Sequence, residues 1–438
     1  MPSAAFYTLG CKVNQYDSEA MMDLFKKRGY KLVDFEDKAD IYIINSCTVT
    51  NSAASKSRKY ARRAKRRNPE ATVVMVGCYS QVSPEEIEQI TEIDMILGTD
   101  NKSKIVNLIE EKLKKEDKFL GDIKGYDELN EYENLKIDEL RETTRAYVKI
   151  QEGCNQFCSY CIIPYARGSL RSRNMNSVLN EVNKLVSKGV KEIVLTGIHL
   201  GAYGVDWDNN QALNELIIKL INIQNLERIR LSSIEITEIN DKLLYLIKDN
   251  EILCPHLHIP LQSGSNHILD KMKRPYTREE FKTKIKKIKD LIPDIAISTD
   301  VMVGFPGETE EDFKDTYNLI KDLEFSRLHV FSYSPREGTP AAEMNDQLAG
   351  NIKSSRSKKL RNFNKKLMKK YHNKFLGKIK NVIIEEKKEI NNKTFITGFT
   401  DNYIRVIIKE SDEIKRGELV KVKLKENYNY QNVLAVII

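Results

Sequence analysis

Three cysteines stand close together in GCNQFCSYC, as Cys154, Cys158 and Cys161. A C-x3-C-x2-C loop is short enough to wrap three thiolates around one cube of iron and sulfur. Three ligands leave one iron of a 4Fe-4S cluster open. The amino and carboxylate groups of S-adenosylmethionine can chelate that iron, and one electron then splits the sulfonium to give a carbon radical. The competing reading is a zinc knuckle, but zinc prefers four ligands in pairs such as C-x2-C, and no fourth Cys or His lies nearby. A ferredoxin-type site would also call for a fourth cysteine.

A second set is dispersed: Cys11 in TLGC, Cys47 in INSC and Cys78 in MVGC. Each follows a short apolar run that reads as a strand. In an open α/β sheet the carboxyl ends of parallel strands lie on one side, where ligands bind. Three βα turns can therefore present three thiolates to one point, with Gly10 and Gly77 allowing close backbone approach. Buried apolar cysteines are the plain alternative. The equivalent placement of all three favours a second 4Fe-4S cluster. Cys254, beside Pro255, reads as a structural thiol.

The elements that must position these residues alternate in type. Up to residue 115, the strands Ala4–Leu9, Ile41–Asn45 and Thr72–Val76 alternate with helices over 18–28 and 52–67, which argues for a parallel α/β sheet. Residues 114–142 are charged, with few apolar anchors, and read as a linker or decorated connection. From Ala146 the alternation resumes, with strands at 146–150, 192–196, 228–232, 257–260, 296–303 and 328–331, as in a complete or partial (β/α) barrel. Past a basic helical segment at 353–371, strands at 381–385, 394–399, 403–408, 419–424 and 433–438 predict a small five-stranded β-barrel. The expected domains are 1–120 (open α/β sheet), 140–370 (partial barrel) and 372–438 (small barrel).

Lysine and arginine number 71 against 63 acids in 438 residues, a net charge of +8 that favours a polyanionic partner without identifying it. The start, MPSAAFYTLG, has no signal-peptide pattern, and no run approaches about eighteen apolar residues, so neither export nor a membrane span is expected. A cytoplasmic location follows, and a reducing compartment disfavours disulfides.

With both triads placed, the chain resembles the methylthiotransferases of the radical S-adenosylmethionine superfamily over nearly its whole length. The resemblance is carried by TLGCKVNQYDSE, INSCTVTNSAASKSR, MVGCYSQ, GCNQFCSYCIIPYARGSLRSR, HLHIPLQSGS and STDVMVGFPGET. It implies two clusters, an N-terminal one on Cys11, Cys47 and Cys78 that holds or delivers sulfur, and a central one that generates a 5′-deoxyadenosyl radical. That radical removes hydrogen from C2 of a modified adenosine, and a second S-adenosylmethionine supplies the methyl group. Lys12, Val13 and Asn14 resemble the branch acting on N6-threonylcarbamoyladenosine beside the tRNA anticodon. Sister branches act on isopentenyladenosine in tRNA or on an aspartate of a ribosomal protein. A flavodoxin or ferredoxin is the expected electron donor. A reading of a different class is a metal-stabilised RNA-binding protein without catalysis.

The resemblance places Tyr160 near the adenine, and Thr196 and Gly197 where the methionine amino group is met, although this sequence lacks the more usual Gly-Glu there. Ser233 and Glu235 follow the 228–232 strand and are candidates for ribose or methionine contacts. Gln262 follows HLHIPL at another strand end, the face where polar groups read as functional. His256 and His258 read as hydrogen-bonded structural residues. GFPGET combines a turn with a capping box at Thr309–Asp312, and the resemblance places this loop beside the adenine. For RNA, the acid-free runs 55–67 and 353–370 offer basic helix faces. The terminal barrel resembles the TRAM module, with Tyr403, Arg405, Tyr428 and Tyr430 as candidates for stacking or phosphate contact.

Overall fold

The computed structural model describes residues 1–114, 119–121, 123–137, 144–409 and 414–438. Its first sheet is parallel throughout, in the spatial order Lys31–Val33, Ser3–Thr8, Ile41–Ser46, Thr72–Gly77, Met95–Ile96, Phe119–Leu120. The central strand IYIINS is buried at every position, as a parallel strand covered on both faces must be. The strand order reverses between Ser3–Thr8 and Ile41–Ser46. The helix Asn51–Arg67 begins at Thr50, whose side chain accepts from the Ala53 N–H.

The first helix runs Lys12–Lys27, six residues earlier than its expected start. Its opening KVNQYD looks polar, yet Val13, Asn14, Tyr16 and Asp17 are all buried. The buried polar groups there serve the site described below, and they mask the helical periodicity.

Six parallel strands form the central arc: Arg145–Glu152, Glu192–Gly197, Arg228–Leu231, His256–His258, Ala296–Val303 and Arg327–Ser332. Bridges Ile229↔Leu253 and Ser233↔His258 join its two sheets. The chain then follows the helix Gly350–Asn373 into a closed barrel ordered Ile379–Ile390, Lys393–Thr400, Arg405–Lys409, Val433–Ile437, Leu419–Asn427. Arg228 and Arg230, near the amino end of the arc, donate to carbonyls of Phe399, Asn381, Asp401 and Thr400, and Arg145 pairs with Glu385 at 2.5 Å. The small barrel thereby closes the bottom of the arc.

The stretch read as a linker is a strap where it is described. Phe119–Leu120 extends the first sheet, and Leu135 and Ile137 pack with Tyr16 and Ala20. Tyr16 donates to the Leu135 carbonyl at 2.7 Å, and Tyr132 to that of Lys149 at 2.9 Å. A few well-spaced apolar anchors suffice where each one meets a neighbouring core. Residues 115–118, 122 and 138–143 of that stretch lie outside the described residues. No helix among the described residues is long and apolar enough to cross a membrane.

Candidate functional site

The N-terminal cysteines meet where the strand order reverses, the usual ligand position of an open sheet. Cys47 directly follows Ser46, and Cys78 directly follows Gly77, while Cys11 caps the helix Lys12–Lys27. Gly10 and Gly77 both adopt φ of 103°, which side chains rarely do. A Cβ on Gly10 would lie 2.9 Å from the Cys47 Sγ, so only glycine lets these two turns come so close. Cys47 and Cys78 are buried, whereas Cys11 is exposed. The atoms packed around its sulfur nevertheless raise the Cys11 thiol pKa, against Arg167, which lowers it, and with Cys78 raising it further.

Arg167 links this site to the central arc. It is fully buried, and its Nε donates to the Cys78 Sγ at 3.1 Å. Its Nη1 donates to Asp17 at 3.0 Å and to Glu152 at 3.1 Å, and its Nη2 to Asn14. Asp17 also accepts from Lys102 at 2.8 Å and Lys149 at 2.6 Å, and Glu152 from Lys149 at 2.9 Å. Burial pushes the Asp17 carboxyl up, but Lys102, Lys149 and Arg167 overcome it and hold it well below the ordinary range. Burial likewise opposes Glu152, which Arg167 and Lys149 bring down to about 2. Three cations thus face two carboxylates in a buried network. A buried unbalanced charge is costly, so the excess calls for an anion on the side where Cys78 lies.

The central triad occupies the loop after Arg145–Glu152. The Cys154 N–H donates to the Gly168 carbonyl at 3.1 Å, and the Cys161 N–H to that of Cys158 at 2.9 Å. Phe157 at the turn holds φ of 45°, an unusual conformation for an aromatic residue, of the kind found at functional loops. The Cys154 Sγ lies 3.7 Å from His199 Nδ1, and the other ring nitrogen meets Glu238. Burial opposes the charge on His199, but Cys154 and Glu238 raise its pKa to about 10. Arg274 donates to the Cys158 Sγ at 3.4 Å and pairs with Glu235.

Burial pushes the Cys47 and Cys161 thiols up to about 12, so neither is a free thiolate at neutral pH and a metal must displace the proton. Among the described residues no three His, Cys, Asp or Glu side chains are grouped tightly enough to hold a single metal ion. That is the arrangement a zinc knuckle needs. In a cube each thiolate takes a different iron, so the ligands stand further apart. Both cysteine sets, with the cation excess beside the first, fit that group.

Two of the six cofactor-pocket candidates meet in one hollow. Tyr160 and Gln262 line a cavity of about 180 Å³ with Cys161, Asp300, Tyr333 and Arg336. Gln262 sits at φ of 63° and bridges to Val301. Thr196, Gly197, Ser233 and Glu235 do not line it. Thr196 is buried at the end of its strand, and Gly197 packs on Gln151. Ser233 bridges to His258, and Glu235 is engaged by Arg274, so its contact is with the residue beside Cys158. Sequence reasoning missed Arg167, Arg274, His199 and Arg336. The first two lie close after cysteine or strand motifs, but nothing in sequence marks their aim. Arg336 donates to Asn51 at 2.6 Å, while its buried Nε and Nη2 have no partner among the described residues. It lines both the first hollow and a wider cleft of about 750 Å³ containing Thr48, Arg58, Tyr79, Lys124 and Tyr165.

Several surface expectations change. In the 55–67 run Arg58, Arg62, Arg63, Lys65 and Arg67 pair with Glu86, Glu92, Glu36 and Asp94, leaving Lys56, Lys59 and Arg66 without an acid among the described residues. Tyr403 is only partly exposed: it stacks on Phe399 and packs at a tilt on His256, with Arg230 4.8 Å from its ring. His256 is structural through that ring contact rather than through hydrogen bonds, because neither ring nitrogen has a partner among the described residues; His258 bonds Ser298 and Asp300. Arg405 pairs with Glu386, and Tyr428 packs on Phe395. Tyr430 is exposed, with Lys365 5.6 Å from its ring, beside a hollow lined by Lys358 and Arg361. Thr309 and Asp312 form the expected capping box.

Residues 3–98 match the model of the uncharacterized protein family UPF0004, and residues 148–320 that of the radical SAM superfamily. The threonylcarbamoyladenosine tRNA methylthiotransferase MtaB of Bacillus subtilis is 45% identical over 98% of this chain and 95% of its own length. The MtaB of Aquifex aeolicus is 41% identical over 95% and 99%. The tRNA-2-methylthio-N(6)-dimethylallyladenosine synthase of Acetivibrio thermocellus is 37% identical over 95% and 87%. In fold, the radical S-adenosylmethionine methyltransferase TsrM of Kitasatospora setae, a structure with cobalamin and a 4Fe-4S cluster, aligns with a TM-score of 0.59 at 14% identity, covering 78% of this chain and 77% of that one.

Proposed function

Because the chain belongs to the radical S-adenosylmethionine tRNA methylthiotransferases, we propose that it adds a methylthio group to C2 of N6-threonylcarbamoyladenosine next to the tRNA anticodon. The near full-length identity to two relatives named for that nucleoside carries the choice over the dimethylallyladenosine branch.

In this reading Cys154, Cys158 and Cys161 hold one 4Fe-4S cluster, and Cys11, Cys47 and Cys78 hold the other. When bound, the clusters and S-adenosylmethionine supply radical hydrogen abstraction at one site and sulfur at the other. The protein's own task is placement. Tyr160 and Gln262 shape the hollow beside Cys161 for the cofactor. Arg274 holds Glu235 and orients the Cys158 sulfur. His199, held by Glu238 through Nε2, sets its Nδ1 3.7 Å from the Cys154 sulfur. The guanidinium of Arg336, with two unpartnered groups between the triads, offers an anion contact to incoming RNA. Tyr430 with Lys358, Arg361 and Lys365 offers a second RNA surface. A flavodoxin or ferredoxin supplies electrons in the cytoplasm.

Mass spectrometry of tRNA nucleosides from a strain lacking this protein tests the substrate. Loss of the methylthio form of threonylcarbamoyladenosine, restored by complementation, is expected. Its persistence with no second such enzyme present rejects the assignment.

A further inference from the structure

Arg167 belongs to the central domain's sequence but is linked, directly or through Asn14, to every cysteine turn of the N-terminal site. One short helix, Ile163–Arg167, carries the chain from just after Cys161 to this residue. That helix is anchored to the first domain, because Thr99 donates to the Ala166 carbonyl at 2.7 Å. Arg167 then reaches Cys78 directly at 3.1 Å. Through Nη2 it holds Asn14, whose amide donates to the Leu9 carbonyl at 2.7 Å and the Ser46 carbonyl at 2.9 Å. Those carbonyls belong to the turns that bear Cys11 and Cys47. The remaining donor, Nη1, is fixed by Asp17 and Glu152, so the fork cannot rotate away from the sulfur.

We propose that Arg167 is a positioning residue that tunes the N-terminal cluster, donating its Nε–H to the cluster-bound Cys78 sulfur and holding that cluster's reduction potential up. The inference rests on the reading that Cys11, Cys47 and Cys78 ligate a cluster. The physical basis is that reduction adds negative charge to the cluster. A buried cation with an N–H aimed at a ligand sulfur stabilises the reduced form more than the oxidised one, and hydrogen bonds to sulfur and local charge are established controls of cluster potential. The same cation gives the network its excess positive charge, since Lys102, Lys149 and Arg167 outnumber Asp17 and Glu152, and an anionic group beside Cys78 offsets it. It also makes the first site sensitive to the placement of the loop that carries the central triad.

The test uses the full chain with Cys154, Cys158 and Cys161 replaced by alanine, so that only the N-terminal cluster is loaded. Into this parent are placed Arg167→Gln, which removes the charge, and Arg167→Lys, which keeps the charge and loses the planar fork. Iron content and redox titration followed by electron paramagnetic resonance are measured on each. The expected result is a more negative midpoint for Arg167→Gln and an intermediate value for Arg167→Lys, each with about four irons bound. A merely structural residue would change iron loading without moving the midpoint of the clusters that do form. A fully loaded Arg167→Gln protein with the parent's midpoint overturns the proposal. Should Arg167→Gln fail to load iron, an unchanged midpoint in Arg167→Lys overturns it instead. A parent that binds no cluster overturns both the proposal and the ligation reading beneath it, which separates the two failures.

Discussion

The two cysteine triads are assembled by opposite routes. The central one is contiguous, wrapped by a single loop whose strain is concentrated at Phe157. The N-terminal one is assembled from three βα turns and owes its geometry to the sheet, to two glycines and to an arginine lent by the other domain. Each triad has one arginine on a sulfur, Arg274 on Cys158 and Arg167 on Cys78. Among the described residues Arg274 is paired by the single carboxylate Glu235, whereas Arg167 sits in a five-membered charge network spanning the domain contact. A contiguous ligand set tolerates movement around it, while a dispersed set transmits every shift of its scaffold.

The largest effect should come from disabling each triad separately. Alanine at Cys154, Cys158 and Cys161 is expected to abolish reductive cleavage of S-adenosylmethionine together with the methylthio product. Alanine at Cys11, Cys47 and Cys78 should spare the cleavage, read as 5′-deoxyadenosine by chromatography, and abolish the product. Loss of cleavage in both would erase the distinction.

Next comes the scaffold on which the dispersed site depends. Asp17→Asn leaves Lys102, Lys149 and Arg167 short of a carboxylate, and breaking a buried ion pair of this kind costs about 3–5 kcal/mol. The exposed pair Lys282–Asp322 provides the control, because solvent screens it and Asp322→Asn should cost far less. Anaerobic chemical denaturation measures both, and equal losses would contradict the special role of the network.

Acidification probes the same network more gently. Asp17 and Glu152 have folded pKa values below their ordinary ones, so their contribution is present above the ordinary carboxylate range. It is lost as pH falls toward the folded value, about 2 for Glu152. Thermal melting of the metal-free chain should therefore weaken steadily between pH 5 and pH 2, as expected for such linkage, and Asp17→Asn should flatten that dependence.

Much of this contrast could be read before the structure, and the limit has a physical cause. The central triad announces itself because its spacing is local. The dispersed triad was legible only through the strand that precedes each cysteine, because strand ends in a parallel sheet share a side. The partners that finish both sites were not legible: Arg167, Arg274 and His199 are aimed by tertiary contacts that leave no periodic trace. The early start of the helix Lys12–Lys27 was hidden for the same reason, since Asn14 and Asp17 are buried to serve the site rather than to fill a core. Tyr403 shows the converse, a barrel aromatic expected to stack on RNA whose ring is engaged by His256 and Arg230. The small barrel's strands were readable because antiparallel alternation is local, whereas its docking through Arg228 and Arg230 to backbone carbonyls was not.

The smallest expected effect lies on the surface, away from either triad. Lys365→Ala should weaken tRNA binding and reduce the slope of affinity against salt by about one, as for loss of one phosphate contact. Neither cluster's spectrum should change. A filter-binding salt series checks this, and an unchanged slope would move the RNA surface elsewhere.

The most direct measurement of the central claim is iron and acid-labile sulfide in the anaerobically reconstituted protein, with and without the N-terminal cysteines. Two cubes require about eight irons in the native chain and about four after Cys11, Cys47 and Cys78 are replaced by alanine. A native chain that binds only about four irons, and keeps all of them after that replacement, would contradict the account.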